Sequence, residues 1–318
     1  MIFSKVPPVR CAALCTLVLL AVGVAISAGC SGSGAAAADG RPTVVATTTQ
    51  VADLAREVGG PRVHVVGMLA PNADPHEHEV RPADVKALAG AALIVRSGGD
   101  VDAWLEDAIA SAGSRAPTLT LIDHVAARRA KQGVDPHWWQ DPRNGVRAVA
   151  ALRTALTEAV PAGAAGFAGR AAALTRRLEA LDSAVASCLN RIPARERKLV
   201  TTHDALGYYA ARYGLRVVGA VIPSLSTQAQ ASAGDTAQLV DTIRREGVRA
   251  VFAESSVNAK VEQAIARETG ARIGARLWAD TLGPPGSSGA TYLGSIAANT
   301  RAIADGLSGG AVHCRLPG

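Results

Sequence analysis

Two turns with the sequence Asp-Pro-His carry residues suited to metal chemistry. One spans residues 74–76, and the other opens the run Asp-Pro-His-Trp-Trp-Gln-Asp-Pro at residues 135–142. Proline fixes its own φ and restrains the residue before it, so each histidine stands in a restrained turn. Two such turns in one chain predict two loops that present His76 and His137 to a single point. The alternative is a pair of unrelated turns with surface histidines.

A third histidine and an aspartate complete a candidate metal site. His203 follows the predicted strand 198–202, and Asp280 follows the last short predicted strand of the chain. Together with His76 and His137 they offer three imidazoles and one carboxylate, which suit a first-row divalent ion and Zn²⁺ above all. Four protein ligands leave little room for the activated water that catalytic zinc sites retain. The set favours a carrier of the ion; the alternative is a secreted metallohydrolase with Asp280 as its base.

The order of apolar and helical segments predicts an α/β protein with parallel sheets. The predicted strands lie at residues 43–48, 63–69, 93–95, 118–122, 198–202, 216–222, 250–253 and 272–275. The predicted helices that alternate with them lie at residues 51–58, 82–89, 101–112, 145–160, 205–213, 235–246, 257–268 and 292–307. Ligands of such folds bind at the loops that follow the strands. We therefore expect two lobes, at residues 42–162 and 193–318, with the metal site in the cleft between them.

One long helix is predicted to bridge the two lobes at residues 163–192. Apolar residues recur there at alternating spacings of four and three, which is typical of one buried helical stripe. The stripe consists of Phe167, Ala171, Leu174, Leu178, Leu181, Val185 and Cys188. A coiled-coil dimer is the alternative, but the repeat is short and its core is poor in branched side chains. We expect a monomer in which a single helix lies along both lobes.

The N-terminus resembles the signal of a bacterial lipoprotein. Two basic residues precede an apolar stretch at residues 11–28, and small residues lead directly into Cys30. This pattern describes a secretory signal at residues 1–29 rather than part of the mature fold. An uncleaved membrane anchor is the alternative, although the apolar stretch barely reaches spanning length. We expect a lipid on Cys30, a flexible tether at residues 30–41, and a folded protein held at the outer side of the cell membrane.

Composition and cysteine content narrow the classes of function further. Beyond Cys30 the chain has two cysteines, Cys188 and Cys314, which are candidates to pair in an oxidising compartment. The sequence has no Cys-x-x-Cys motif, which argues against thiolate metal sites and redox catalysis. Its 318 residues carry a net charge of +6 without a basic stripe that interleaves aromatic residues. Nucleic acid is therefore not an expected partner.

Taken together, these motifs resemble the metal-binding solute receptors of bacterial ABC importers for zinc and manganese. The resemblance is carried by residues 74–76 with Glu79, Pro82 and Asp84, by residues 135–138 with Asp141 and Pro142, and by residues 203–205, 207–209, 212–214, 226–228, Glu254 and Asp280. It implies two α/β lobes bridged by one long helix, with the metal ligands at His76, His137, His203 and Asp280. It also implies delivery of the ion to a membrane permease that a cytoplasmic ATPase drives.

The resemblance favours the zinc branch and leaves several roles open. Manganese receptors of the family commonly have a glutamate where this chain has His203, so Mn²⁺ is the alternative ion. The histidine-rich loop of many zinc receptors is missing from residues 124–134. His78 stands where the family usually has an aromatic residue, and we expect a spectator rather than a fifth ligand. An adhesin role stays open, since some family members are reported at cell surfaces.

Four acids close to the ligands in sequence are candidates to orient the imidazoles. Metal-bound histidines usually donate their second N–H to a carboxylate or a carbonyl. The candidates for this role are Glu79, Asp141, Asp204 and Glu254. Ordinary capping and turn hydrogen bonds are an equal alternative for all of them.

Overall fold

A four-stranded parallel sheet forms the centre of the N-terminal lobe in the computed structural model, which describes residues 40–317. Its strands are β1 (Thr43–Ala46), β2 (His64–Gly67), β3 (Leu93–Arg96) and β4 (Thr118–Thr120), in the order β2-β1-β3-β4. The helices of this lobe are α1 (Thr49–Gly59), α2 (Pro82–Ala89), α3 (Leu105–Ala112) and α4 (Pro142–Ala159). In the central strand, Val44 pairs with Val65 on one side and with Leu93 on the other. Val44 and Val65 are β-branched, and all three residues are apolar, which suits a sheet that helices cover.

One predicted helix of this lobe begins later than its sequence pattern indicates. The segment predicted as a helix from residue 101 begins with a 3-10 turn at Asp100–Asp102, and α3 starts only at Leu105. The carboxylate of Asp102 is buried and accepts hydrogen bonds from the Thr47 hydroxyl at 2.7 Å and from the Ser97 amide at 2.7 Å. These bonds tie the turn to the ends of β1 and β3 and so delay the helix.

Helix α5 (Ala164–Leu189) has 26 residues and a length of about 39 Å. All seven residues of the predicted stripe are buried on it. Arg170 donates to the carbonyl oxygens of Val58 and Gly59 at 2.8 Å, which fixes the first half of the helix to the N-terminal lobe. Asp182 accepts a hydrogen bond from the Tyr213 hydroxyl at 2.9 Å and so fixes the second half to the C-terminal lobe.

The C-terminal lobe is built on two pairs of parallel strands. The first pair is β7 (Lys198–Thr201) with β8 (Arg216–Ala220), and the second is β9 (Ala250–Val251) with β10 (Arg272–Ile273). Earlier in the chain, β5 (Arg129–Ala130) and β6 (Gly133–Val134) form an antiparallel hairpin. The amide of Phe252 donates to the Val200 carbonyl at 2.9 Å, so the two pairs lie side by side. The helices are α6 (Gly207–Tyr213), α7 (Ala233–Glu246), α8 (Lys260–Thr269) and α9 (Tyr292–Ser308).

The two lobes share one hydrophobic core. A single cluster of buried side chains runs from Val44 in β1 through Leu178 in α5 to Ile303 in α9. The C-terminal segment joins this core, because Val312 is buried and a disulfide links Cys314 to Cys188 at the end of α5. The predicted pairing of these two cysteines is therefore present in the structure.

The predicted signal at residues 1–29 and Cys30 lie outside the described residues, as does nearly all of the tether. Among the helices that the structure does describe, none combines the length and the apolar character needed to cross a membrane.

Candidate metal centre

The four predicted ligands meet at the boundary between the lobes. His76 lies in a turn after β2, and His137 follows the β5–β6 hairpin of the same lobe. His203 follows β7, and Asp280 follows the parallel bridge between Glu254 and Leu277 in the other lobe. All four side chains are buried, and each offers one atom to a group whose members lie within 4.8 Å of one another.

The spacing of the donor atoms is close to that of a tetrahedral ion. Nε2 of His203 lies 3.3 Å from Nε2 of His137 and 3.1 Å from Oδ2 of Asp280. Nε2 of His76 lies 3.4 Å from Oδ2 of Asp280, and Nε2 of His137 lies 3.5 Å from Oδ1. Donor atoms bound tetrahedrally to Zn²⁺ at about 2.0–2.1 Å are about 3.3 Å apart. These four distances, in a group whose ligand atoms all lie within 4.8 Å of one another, suit one small cation.

Three buried atoms of the proposed ligands need a partner. Nε2 of His76 and both carboxylate oxygens of Asp280 form no hydrogen bond within residues 40–317. Buried polar atoms are rarely left without a partner, because they have lost their hydrogen bonds to water. A cation between the four side chains would give both His76 and Asp280 a partner.

The aspartate of each Asp-Pro-His turn folds back over the histidine. Oδ1 of Asp74 accepts from the His76 amide at 2.9 Å, and Oδ1 of Asp135 accepts from the His137 amide at 3.0 Å. The intervening proline holds the aspartate extended, which lets the carboxylate reach an amide two residues ahead. Local sequence thus determines the shape of both ligand turns.

Two buried carboxylates orient two of the imidazoles. Oδ1 of Asp135 lies 2.8 Å from Nδ1 of His137, and Oε1 of Glu254 lies 2.7 Å from Nδ1 of His203. When each ring is neutral with Nδ1 as the donor, its Nε2 offers a lone pair to a metal in the site. Glu254 was among the predicted orienting acids, whereas Asp135 was missed. The signal that could have found it is its place in Asp-Pro-His, two residues before the ligand.

The other three candidate acids have different surroundings. Asp141 caps α4 and accepts hydrogen bonds from the amide and the guanidinium of Arg143. It therefore has the ordinary capping role and does not orient an imidazole. Glu79 is exposed. Asp204 is half-buried near Asp135, and burial together with that negative charge raises the pKa of its carboxyl.

His78 lies outside the ligand group. Its ring packs on Trp104 with the ring centroids 4.4 Å apart, and its Nε2 lies 3.5 Å from Oδ2 of Asp84. Burial lowers the pKa of this imidazole, which keeps it neutral near pH 7. The placement agrees with the predicted spectator role.

The ionisable side chains of the site shift one another's pKa values. Burial disfavours a charge on His203, but Glu254 and Asp280 outweigh that effect and raise the pKa of the imidazole well above its ordinary value. Burial likewise opposes a charge on Asp280, but His203 and His137 hold the pKa of its carboxyl well below its ordinary value. Without a metal, these shifts favour a proton on His203 and a negative charge on Asp280, so a cation would compete with that proton.

Residues of the N-terminal lobe fix the loop that carries Asp280. The carbonyl oxygen of Ala279 accepts hydrogen bonds from Nε1 of Trp139 at 2.8 Å and from Nε2 of Gln140 at 2.7 Å. The Leu282 amide donates to the Thr49 hydroxyl at 2.8 Å. The second tryptophan of the Asp-Pro-His-Trp-Trp run thus positions a ligand of the opposite lobe.

Comparison with known proteins places this geometry in a family. A family model described as "ZnuA: Zinc-uptake complex component A periplasmic" matches residues 44–306. The zinc-binding protein TroA of Treponema pallidum is 32% identical over 288 residues, which are 87% of this chain and 92% of that protein. The manganese-binding lipoprotein MntA of Bacillus subtilis is 31% identical over 285 residues, or 86% and 92% of the two chains. The iron-binding protein YfeA of Yersinia pestis is 28% identical over 313 residues, or 95% and 97%.

The structure of the periplasmic zinc-binding protein TroA also has the same fold. It superposes with a TM-score of 0.79 at 28% identity, over 85% of this chain and all of that one. The predicted α/β fold and the predicted family are thereby confirmed. The relatives named here bind zinc, manganese or iron, so the comparisons do not single out one metal.

Proposed function

Because the chain belongs to the family of zinc-uptake component A, a family of ABC-importer receptors, we propose that it captures Zn²⁺ outside the cytoplasm. Receptors of this family bind a metal and are not enzymes, which argues against the metallohydrolase alternative. In this proposal the chain acts as a monomer and delivers the ion to a membrane permease that a cytoplasmic ATPase drives.

The spacing of the donor atoms is the observation that carries the proposal. The three imidazole nitrogens each lie 3.1–3.5 Å from one or the other carboxylate oxygen of Asp280, and those of His137 and His203 lie 3.3 Å apart, which suits tetrahedral Zn²⁺. With His76, His137, His203 and Asp280 all bound, a tetrahedral ion has no open position for a water. A closed site of this kind suits a receptor that must hold its cargo unchanged.

The charges around the ligands support a divalent cargo. Asp280, Asp135 and Glu254 bring three carboxylates, and Arg128 brings one guanidinium through its ion pair with Asp135 at 2.8 Å. With neutral imidazoles and ionised carboxylates, two negative charges are left uncompensated. A divalent cation neutralises them, whereas a monovalent ion would leave one buried charge unbalanced.

The ligand set favours zinc over manganese. Mn²⁺ is the weakest binder of the first-row divalent series and prefers oxygen ligands, whereas Zn²⁺ readily accepts imidazole. Only one of the four proposed donors here is an oxygen atom. Mn²⁺ is the alternative cargo, supported by the similarity to MntA of Bacillus subtilis.

Metal content and competition test the proposal. Protein purified without a chelator is analysed for bound elements, and the metal-free form is then titrated with Zn²⁺ and Mn²⁺ in competition at neutral pH. We expect one zinc per chain and zinc binding well above that of manganese, as the divalent series and the imidazole ligands predict. Equal or tighter manganese binding would refute the zinc assignment, and a protein that binds neither ion would refute the receptor proposal.

A ligand exchange tests whether His203 sets the preference. His203→Glu alone would place a new carboxylate against Glu254, which lies 2.7 Å from Nδ1 of the native imidazole. The exchange is therefore made together with Glu254→Gln, which removes that repulsion. We expect the double variant to narrow the ratio of zinc to manganese affinity, because an oxygen ligand replaces a nitrogen ligand. Glu254→Gln alone is the control, and a ratio equal to that control would show that His203 does not discriminate.

We also propose that the mature protein is held at the membrane by a lipid on Cys30. Support comes from the signal-like pattern of residues 1–30 and from MntA of Bacillus subtilis, which is described as a lipoprotein. Cys30→Ser should leave the protein unprocessed or release it from the membrane fraction. The proposal fails if that variant is cleaved and still fractionates with membranes as fully as the wild type.

A further inference from the structure

The base of the β5–β6 hairpin is closed by a residue of the opposite lobe. The hydroxyl of Tyr208 in α6 accepts from the Arg128 amide at 2.7 Å and donates to the Asp135 carbonyl at 3.0 Å. The Asp135 amide in turn donates to the Arg128 carbonyl at 2.9 Å. These three bonds form a closed ring that joins both ends of the hairpin to the C-terminal lobe.

The side chains at this ring continue directly to a proposed metal ligand. Nη1 of Arg128 donates to Oδ2 of Asp135 at 2.8 Å, while Oδ1 of the same carboxylate lies 2.8 Å from Nδ1 of His137. The Asp135 and His137 side chains are fully buried, and that of Arg128 is about one-third exposed, at 35%. The two oxygens of Asp135 are thus held from opposite sides, and the plane of the carboxylate is fixed.

Gly207 supplies the surface on which this ion pair lies. A Cβ at this position would stand 2.8 Å from Oδ2 of Asp135 and even closer to Nη1 of Arg128. Gly207 is the first residue of α6 and has no positive φ that would require glycine. The close approach of the Arg128–Asp135 pair is therefore the steric reason for a glycine here.

We propose that Arg128 is a positioning residue for the metal site, acting through Asp135 on the orientation of His137. The inference rests on the proposed function of the site. Arg128 lies outside the ligand group, on a hairpin whose tip is exposed. It fixes the carboxylate that fixes the imidazole, and Gly207 and Tyr208 of the opposite lobe keep the pair in place.

Loss of this support should weaken metal binding without unfolding the protein. Removal of an outer partner of a metal-bound histidine typically costs 10- to 100-fold in metal affinity. Without Arg128, Asp135 keeps its bond to His137, but its second oxygen loses the partner that fixes the carboxylate. We therefore expect an effect toward the lower end of that range, about tenfold.

The first experiment compares two neighbouring arginines of the hairpin. Arg128→Ala should weaken zinc binding about tenfold in a chelator competition, and Arg128→Lys should recover part of the loss. Arg129→Ala, at the next and exposed residue, is the matched control and should bind as the wild type does. In the Co²⁺-loaded protein, Arg128→Ala should also shift the ligand-field absorption bands, which report the geometry of the donor atoms. Arg128→Ala with the affinity and the cobalt spectrum of Arg129→Ala would overturn the inference.

The second experiment disturbs the same pair from the opposite lobe. Gly207→Ala should weaken zinc binding to a similar extent, because its methyl group displaces Arg128 and Asp135. Gly169→Ala is the matched control, because a Cβ on that helical glycine meets nothing within 4 Å. In the double variant Arg128→Ala/Gly207→Ala, the two losses should combine to less than their product, since both act through one carboxylate. Full multiplicative loss would contradict a shared path through Asp135.

Metal binding by the wild type distinguishes failure of this inference from failure of the proposed function. If the wild type binds no zinc or manganese, the proposed function itself is wrong. If the wild type binds zinc and both Arg128→Ala and Gly207→Ala match their controls, the receptor proposal stands and the positioning role of Arg128 is wrong.

Discussion

At the scale of single residues, each half of the site keeps a carboxylate behind a histidine, but the two carboxylates are held differently. Asp135 has Arg128 as a cationic partner, whereas Oε2 of Glu254 has no hydrogen-bond partner within residues 40–317. Burial raises the pKa of Glu254, although the nearby His203 counteracts this effect. Among the ligands and their orienting carboxylates, the shifted pKa values therefore belong to His203, Glu254 and Asp280.

Zinc binding should release a proton from His203. The metal requires a neutral imidazole, but in the metal-free protein the pKa of His203 is raised well above its ordinary value of 6.5. Calorimetric zinc titrations at neutral pH, in buffers with different ionisation enthalpies, should show that binding releases protons. Below the raised pKa, zinc affinity should increase by about tenfold per pH unit as the pH rises. Zinc binding at this pH without proton release would contradict the buried ion pair.

The same ion pair makes the metal-free protein sensitive to pH. Because the folded-state pKa of His203 lies above its ordinary value, protonation of this histidine stabilises the fold fully below pH 6.5. That contribution is lost as the pH rises through the raised folded-state pKa. Denaturation of the metal-free protein at several pH values across this range should show the free energy of unfolding fall as the pH rises. Saturation with zinc should abolish this fall, because the metal replaces the proton on His203.

At the scale of elements, the C-terminal segment is attached to the long helix by a covalent bond. The disulfide between Cys188 and Cys314 spans 126 residues, with the Cα atoms 5.6 Å apart. Nη1 of Arg191 donates to the His313 carbonyl at 3.0 Å beside it. The disulfide thus joins the C-terminal segment to α5, and the Arg191 bond joins it to the turn that follows α5.

Removal of the disulfide should lower the free energy of unfolding. In the chain-entropy model, a closed loop of this length stabilises the fold by up to about 4–5 kcal/mol. Cys188→Ser/Cys314→Ser should show this loss in denaturant unfolding, whereas Arg191→Ala, which removes only the adjacent hydrogen bond, should lose about 1 kcal/mol or less. Equal unfolding midpoints for the double serine variant and the wild type, or two free thiols in the wild type, would contradict the account.

The helices, the strands and the ligand loops could be predicted from the sequence because their signals lie in neighbouring residues. The stripe from Phe167 to Cys188 predicts α5, and each Asp-Pro-His turn contains the residues that shape it. Long-range contacts carry no comparable signal. The bond from Trp139 to the Ala279 carbonyl joins residues 140 positions apart, and only the folded chain brings them together. The delayed start of α3 has the same origin, since Asp102 bonds to Thr47 on another strand.

At the scale of the whole molecule, the lobes are bound together far more firmly than two domains on a flexible linker. One core cluster passes from β1 through α5 to α9. Across the boundary, the Tyr292 hydroxyl donates to the Trp139 carbonyl at 2.5 Å, and Gln228 donates to the His76 carbonyl at 2.5 Å. Wide opening would break these bonds and expose part of the shared core.

Metal binding should therefore move the lobes only slightly. We expect crystal structures of the metal-free and zinc-bound forms to differ by a rotation of a few degrees between lobes, with larger shifts confined to the ligand loops. Small-angle scattering of the two forms should give nearly equal radii of gyration. A closure of tens of degrees would show that α5 bends or that the shared core separates.

The central claim is that one zinc ion is held by four side chains from two lobes. A crystal structure of the zinc-loaded protein, with anomalous diffraction recorded on both sides of the zinc absorption edge, tests it most directly. The account predicts one anomalous peak within about 2.0–2.2 Å of Nε2 of His76, His137 and His203 and of a carboxylate oxygen of Asp280. A zinc ion bound elsewhere, or one at this site with a water in place of one of the four ligands, would contradict it.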